Sequence, residues 1–346
     1  MNTTPMLPKS WVGWSALAVG AIVLAFLPLY APPYYVGLVT TAMIAAMLAL
    51  SLHLLVGGVG LVSLCHGAFY GLAAYTVYFL SPESFPRSMW ITLPAAMLVA
   101  GLCALVIGAL SLRTRGFFFL MVTLAFGQML FTVFHDTKIG GGADGAYLAK
   151  PIISFLGWTF DPASLPRSQR ALPAYYVALA QLVLTYVGLA LLLRTLFGRV
   201  LHGVKVNEDR MISLGFNARR YKLAAFVIAG SLAGAAGHMW SLHSGVVNPE
   251  LLAWHKSAEV LLMILLGGIG SLAGAIVGAF GFTALGEIAQ SLTDRKVLAE
   301  GLVIFVCVLA LRDGLMGIRL PRLWTSSATK NGVLMQESAK EASTHE

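Results

Sequence analysis

Five side chains able to bind metal or move protons fall close together along the chain: His238, His243, Glu250, His255 and Glu259. Histidines share a helical face for zinc only when they stand three or four positions apart. His238 and His243 are five apart and point away from each other. The set reads either as interfacial histidines at the outer end of a span or as the polar lining of an outer mouth. In the second case the turn from Gly245 to Glu250 faces a delivered solute, with Asn248 and Glu250 as candidate contacts. Elsewhere, ionisable residues within apolar runs are few: His53, His66, Glu287 and Glu300. A carboxylate at bilayer depth must face a bundle interior or water. Glu287 is therefore a candidate for a translocation path or a subunit seam, unless it reaches solvent at the outer end. No series of carboxylates follows one helix as a proton relay requires, which argues against an ion-driven carrier.

Nucleotide chemistry is excluded more firmly. No GxxxxGK[ST] pattern exists and the chain has no Gly-Lys dipeptide, so it holds no Walker A phosphate loop. Gly268-Ile-Gly270 copies the letters of a dinucleotide fingerprint, but that motif needs a preceding strand in a βαβ unit and here it interrupts two apolar runs. Cys65, Cys103 and Cys307 lie scattered in apolar runs without CxxC spacing, and read as buried thiols with neither disulfide nor metal role.

The elements that must position these residues are membrane helices. Of 346 residues, 58% are hydrophobic and 11% charged, far below the charged share of about 25% in soluble domains. The apolar runs are continuous over spanning length, unlike the short alternating segments of a β-barrel. They fall at 11–30, 34–55, 59–80, 89–111, 117–135, 173–196, 222–243, 256–271, 274–291 and 297–312, which predicts about ten transmembrane helices. With the N-terminus inside, 15 Lys and Arg fall on the cytoplasmic side and 8 on the other, which favours both termini cytoplasmic. The net charge of +8 is then topological rather than a sign of nucleic acid. The first run carries no convincing cleavage site and reads as a retained span.

The expected organisation is a cytoplasmic N-terminus at 1–10, one permease domain at 11–318 and a polar, disordered tail at 319–346. Within the domain, 136–172 is an external segment and 197–222 a charged cytoplasmic loop with the period of a short helix. Gly230, Gly234 and Gly237 on one run, and Gly270, Gly274 and Gly278 on another, have the small-xxx-small spacing of close helix packing. The clusters Gly57-Gly58-Val59-Gly60 and Gly267-Gly268-Ile269-Gly270 suggest either broken helices or tight interhelical turns.

Six segments, in order, carry a family likeness. They are Ser63–Tyr75, Arg115–Gln128, Gly141-Gly-Ala-Asp-Gly145, Leu214-Gly-Phe-Asn217, Tyr221–Phe226 with Ala233–Gly237, and Leu266–Gly274. Together they resemble the permease subunits of the branched-chain (hydrophobic) amino-acid ABC importers, over residues 34–318. The resemblance implies an all-α polytopic fold of the type II-like importer permease kind, in the bacterial inner membrane. It implies that Val206, Asn207, Glu208, Asp209, Arg210, Met211, Leu214 and Gly215 form a coupling helix that docks an ATPase. Asp209-Arg210-Met211 depart from the small residues that related permeases carry there, which leaves the docking register open. His66, Gln128 and Asp144, which lie in the matching segments, join Glu287 as candidate path residues.

The implied partners are a homologous second permease subunit, two ATPase subunits and a periplasmic or external solute-binding protein. This chain itself needs no cofactor, since ATP and Mg are used by the ATPases. Transport is inward, of branched-chain or other neutral amino acids, although related systems carry urea, short amides and aromatic carboxylates. The competing reading is an autonomous secondary transporter or channel. A membrane enzyme lacks any catalytic constellation.

Overall fold

The computed structural model of the chain describes residues 11–81, 88–148, 153–155, 158–160, 171–292 and 301. The run at 297–312, the tail at 319–346 and the N-terminal segment 1–10 fall outside these apart from residue 301, as does much of 136–172. Eleven helices are described: α1 (Trp11–Tyr30), α2 (Pro33–His53), α3 (His66–Leu80), α4 (Met89–Ser111), α5 (Phe117–Asp136), α6 (Leu172–Arg194), α7 (Leu196–Val206), α8 (Glu208–Ser213), α9 (Ala218–Ser244), α10 (Trp254–Gly267) and α11 (Leu272–Leu292). Among the described residues, six helices are long and apolar enough to cross a membrane: α2 with its extension to Val59, α4, α5, α6, α9 and α11. The protein is thus a mainly helical, multi-pass membrane protein.

α2 forms the axis of the bundle. Pro32 and Pro33 start it, since proline's fixed φ suits the first helical turn. Of its most apolar window, 94% is buried, against α6, α9, α10 and α11. It ends in a π-helical turn, Leu54–Val59, whose wider winding is closed by Gly60 at φ 79°.

Two of the apolar runs do not become full spans. The run at 59–80 yields α3, with 15 residues, and the run at 256–271 yields α10, with 14. At 1.5 Å per residue each reaches about 21–22 Å, short of a hydrocarbon layer of about 30 Å. α3 follows α9 in the same direction: His66 lies beside Phe226, with ring centroids 6.3 Å apart, and the Ser241 hydroxyl donates to the Ala74 carbonyl at 3.4 Å. Phe226 is eight residues into α9, about 12 Å along its axis, so α3 begins inside the bundle. α10 begins at the same level, because the Gly67 N–H at the start of α3 donates to Ser257 Oγ at 2.8 Å.

Residues 60–65 connect the end of α2 to this interior start without helical structure. Irregular backbone at such a depth must be satisfied by protein. The Leu64 N–H donates to Thr123 Oγ1 at 3.3 Å and that of Cys65 to Ser63 Oγ at 3.5 Å. The glycine cluster at 57–60 therefore marks a broken helix, and that at 267–270 a tight interhelical turn from which α11 packs back along α10.

Glycine sets the helix spacing as expected for Gly230, Gly234, Gly237, Gly274 and Gly278. A Cβ on Gly237 would stand 2.0 Å from the Tyr70 carbonyl of α3, and one on Gly278 1.9 Å from the Met263 carbonyl of α10. Only hydrogen permits these backbones to approach so closely. Gly270 is different: it lies in the turn after α10 and has open space around its Cα.

The expectation of an all-α chain is modified by four short strands. β1 (Ala146–Tyr147) pairs antiparallel with β4 (Val246–Val247). β2 (Ile153–Phe155) pairs antiparallel with β3 (Trp158–Phe160). The β1–β4 ladder ties the segment after α5 to the far end of α9 and defines one end of the bundle, the ladder end. The opposite end, where α7 and α8 lie, carries Arg113, Arg115, Arg199, Lys205, Arg210, Arg219 and Arg220 and is the basic end.

Candidate functional site

At the basic end, the residues expected to form a coupling helix fold into a compact, doubly capped unit. α7 turns Val200, Leu201 and Val204 inward, and Asn207 then leaves helical geometry at φ −157°, ψ 102°. Its Oδ1 accepts the Arg210 N–H at 2.9 Å, an N-cap for α8. Glu208 and Asp209 follow in the first turn, where the helix dipole favours negative charge. Gly215, at φ 88°, ends α8. Its N–H donates to the Ile212 carbonyl at 2.9 Å and the Phe216 N–H donates to the Met211 carbonyl at 3.1 Å, the two bonds of a Schellman motif. Asn217 then caps α9 by accepting the Arg220 N–H at 3.2 Å. The string Leu214-Gly-Phe-Asn217 is thus a stop signal followed by a start signal.

This geometry sorts the expected docking residues. Met211 faces inward, packing with Phe216 on Val200, Val204 and Ala218. Glu208 accepts from Lys222 Nζ at 2.7 Å and holds α8 to the first turns of α9. Asn207, Asp209, Arg210 and Gly215 lie at the surface. Val206, Ile212 and Leu214 are apolar yet 73%, 49% and 64% exposed. A cavity of about 560 Å³ opens beside them between Arg115, Glu208, Ile212, Phe216, Arg219 and Lys222. Lys205 links this unit to the membrane core: its Nζ donates to the Gly57 carbonyl in the π-helical turn at 2.8 Å. Partial burial there pulls the ammonium below its ordinary pKa.

A second cavity, also of about 560 Å³, opens toward the ladder end between α5, α9, the 3-10 turn Pro249–Leu252 and α10. It brings together Gln128 from one expected group and Asn248 and Glu250 from another. Lys256 and Glu259, bonded to each other at 2.8 Å, line it with Phe131, Trp240 and Trp254. From the sequence, Glu259 belongs to the set read either as interfacial or as the polar lining of an outer mouth, and Lys256 carries no assigned role. The signal that would have found them is a Lys-x-x-Glu pair opening an apolar run that follows Asn-Pro-Glu.

The other expected path residues lie elsewhere. His66 is fully buried at the start of α3 against Phe69 and Phe226. Asp144 is exposed in the 3-10 turn Ile139–Asp144, where Gly140, Gly141 and Gly142 all take positive φ. Glu287 accepts a hydrogen bond from the Tyr34 hydroxyl where α11 passes the start of α2. His238 is buried in the seam between α4 and α9, its Nε2 2.9 Å from Thr92 Oγ1. Among the described residues no three His, Cys, Asp or Glu side chains gather around a metal-sized site.

A bundle with two half-length helices starting in its interior, a charged cavity at one end and an exposed capped helix at the other defines a membrane transport unit. Residues 34–311 match the family model described as branched-chain amino acid transport system, permease component. The chain is 31% identical to the high-affinity branched-chain amino acid transport system permease protein LivM of Escherichia coli, over 97% of this chain and 81% of that one. It is 24% identical to the corresponding permease protein BraD of Pseudomonas aeruginosa, over 75% and 88% of the two chains. To LivH of Salmonella typhimurium it is 22% identical, over 81% and 93%. The chain belongs to this permease family. No solved structure matches it. It is a permease subunit of an ABC importer, a transport subunit and not an enzyme.

Proposed function

We propose that this chain forms half of the translocation path of an ATP-driven importer for branched-chain or similar neutral amino acids. α8 is the element that docks an ATPase. The observation that carries this reading is the capped α8 unit, with Ile212 and Leu214 exposed between the charged side chains of Glu208, Asp209 and Arg210. A small apolar anchor within a polar rim is what a protein groove accepts. The basic end is cytoplasmic by the distribution of lysine and arginine, and both termini lie on that side. ATP and Mg belong to two separate ATPase subunits. The second permease subunit is homologous to this one, a reading supported by the similarity of this chain to both LivM and LivH. A solute-binding protein delivers its cargo at the ladder end.

The docking assignment is tested by labelling. In a Leu214→Cys variant, the thiol should react readily with a membrane-impermeant maleimide in the isolated chain. It should be protected once the ATPases are bound. Equal labelling in both states would contradict the docking of α8.

A further inference from the structure

We infer that the ladder-end cavity is the solute site within the permease, where Lys256 and Glu259 receive the carboxylate and the ammonium of a zwitterionic amino acid. This rests on the importer reading above.

Depth is the first ground. Gln128 stands eleven residues from the start of α5 and eight from its end, so the cavity wall it forms is near mid-helix. α10 starts level with the interior start of α3. A lysine and a glutamate at such depth mark a functional site by default, because lipid would not tolerate either.

The second ground is that the pair is poorly explained as a helix stabiliser. Lys256 lies in the first turn of α10, which holds no acidic residue. A cation there opposes the helix dipole, and Lys before Glu is the weaker order for a helical ion pair. The side chains stay 31% and 42% exposed, so both charges remain open to the cavity. A zwitterion matches this arrangement: its carboxylate accepts from Lys256 Nζ, and its ammonium donates to Glu259. The Gln128 Oε1 is sheltered and lacks a hydrogen-bond partner among the described residues, which leaves it free to accept a further ammonium proton. Phe131, Trp240, Leu251 and Trp254 supply apolar wall for the side chain. An amine alone would leave Lys256 unmatched, and an acid alone would face the carboxylates of Glu250 and Glu259 that also line the cavity.

The test uses proteoliposomes holding this chain, its second permease subunit and the ATPases, supplied with the binding protein and radiolabelled L-leucine. Lys256→Gln and Glu259→Gln should each lower the maximal uptake rate roughly tenfold or more, in complexes that still assemble. The half-saturating leucine concentration, set by the binding protein, should stay unchanged. The exchanged variant Lys256→Glu/Glu259→Lys re-forms the helical pair with reversed polarity, and its uptake should remain low. Gln128→Leu, which leaves the charges in place, should lower uptake as well. Wild-type uptake in the single variants, or full recovery in the exchanged one, would overturn the site. If the unmodified assembly takes up no leucine with ATP, the importer reading fails instead.

Discussion

Replacing Ile212 and Leu214 together by aspartate should abolish solute-stimulated ATP hydrolysis while the chain still inserts and folds. Both side chains are exposed and make no part of the packed core, so their loss leaves the α7–α8–α9 unit intact. Burial of such side chains in a partner groove contributes about 1.5–3 kcal/mol each, and two carboxylates would be desolvated in their place. Glu208→Gln acts differently. It breaks the ion pair with Lys222, which loosens α8 on α9 without removing the anchor. That pair is partly exposed, and such pairs contribute about 0–1 kcal/mol, so stimulation should weaken but persist. The ATPase activity of the assembled complex, with and without loaded binding protein, separates the two cases. Unchanged stimulation in the double variant would remove α8 from the interface.

A large loss of stability should follow from Gly237→Leu. The position of its Cβ is already occupied by the Tyr70 carbonyl, and backbone cannot rotate aside as a side chain can. α3 and α9 would have to separate along a seam that also sets the depth of α3. Overpacking of this kind costs on the order of 3 kcal/mol, and the detergent-solubilised protein should lose its cooperative melt and its monodisperse elution. Gly188→Leu is the control, since nothing lies within 4 Å of the position on α6 where its Cβ would be. Equal melting temperatures for both variants would contradict the close approach of α3 to α9.

Much of this arrangement was legible in the residues. Spanning helices follow from apolar runs of the right length, and six of the described helices arise where those runs lie. Gly230 and Gly234 announced close packing by spacing alone, because small residues at fixed intervals have few other uses in lipid. The half-length of α3 and α10 was not legible. Hydropathy averages over residues 60–65 as smoothly as over helix, and only the hydrogen bonds from Leu64 and Gly67 to Thr123 and Ser257 show where helix begins.

The charged loop was readable as a short helix, but its exposed face was not. Met211 and Leu214 are both apolar, and the Schellman closure turns the first inward while leaving the second out. The ladder-end cavity was legible in part. Gln128, Asn248 and Glu250 were named from separate segments, and their meeting depends on how the turn after β4 folds back beside α5. Asp144, named from a matching segment, and Glu287, named from an apolar run, do not line this cavity, because neither signal carries the depth or the partner of a carboxylate. Asp144 is at the surface, and Glu287 is bonded to Tyr34.

This chain should move solute only as the membrane half of an ATP-driven assembly. Uptake of radiolabelled L-leucine into proteoliposomes tests it most directly, comparing the chain alone under an ion gradient with the complete assembly given ATP and loaded binding protein. The complete assembly should accumulate leucine, and the chain alone should not. Gradient-driven accumulation by the chain alone would contradict the account and identify an autonomous carrier.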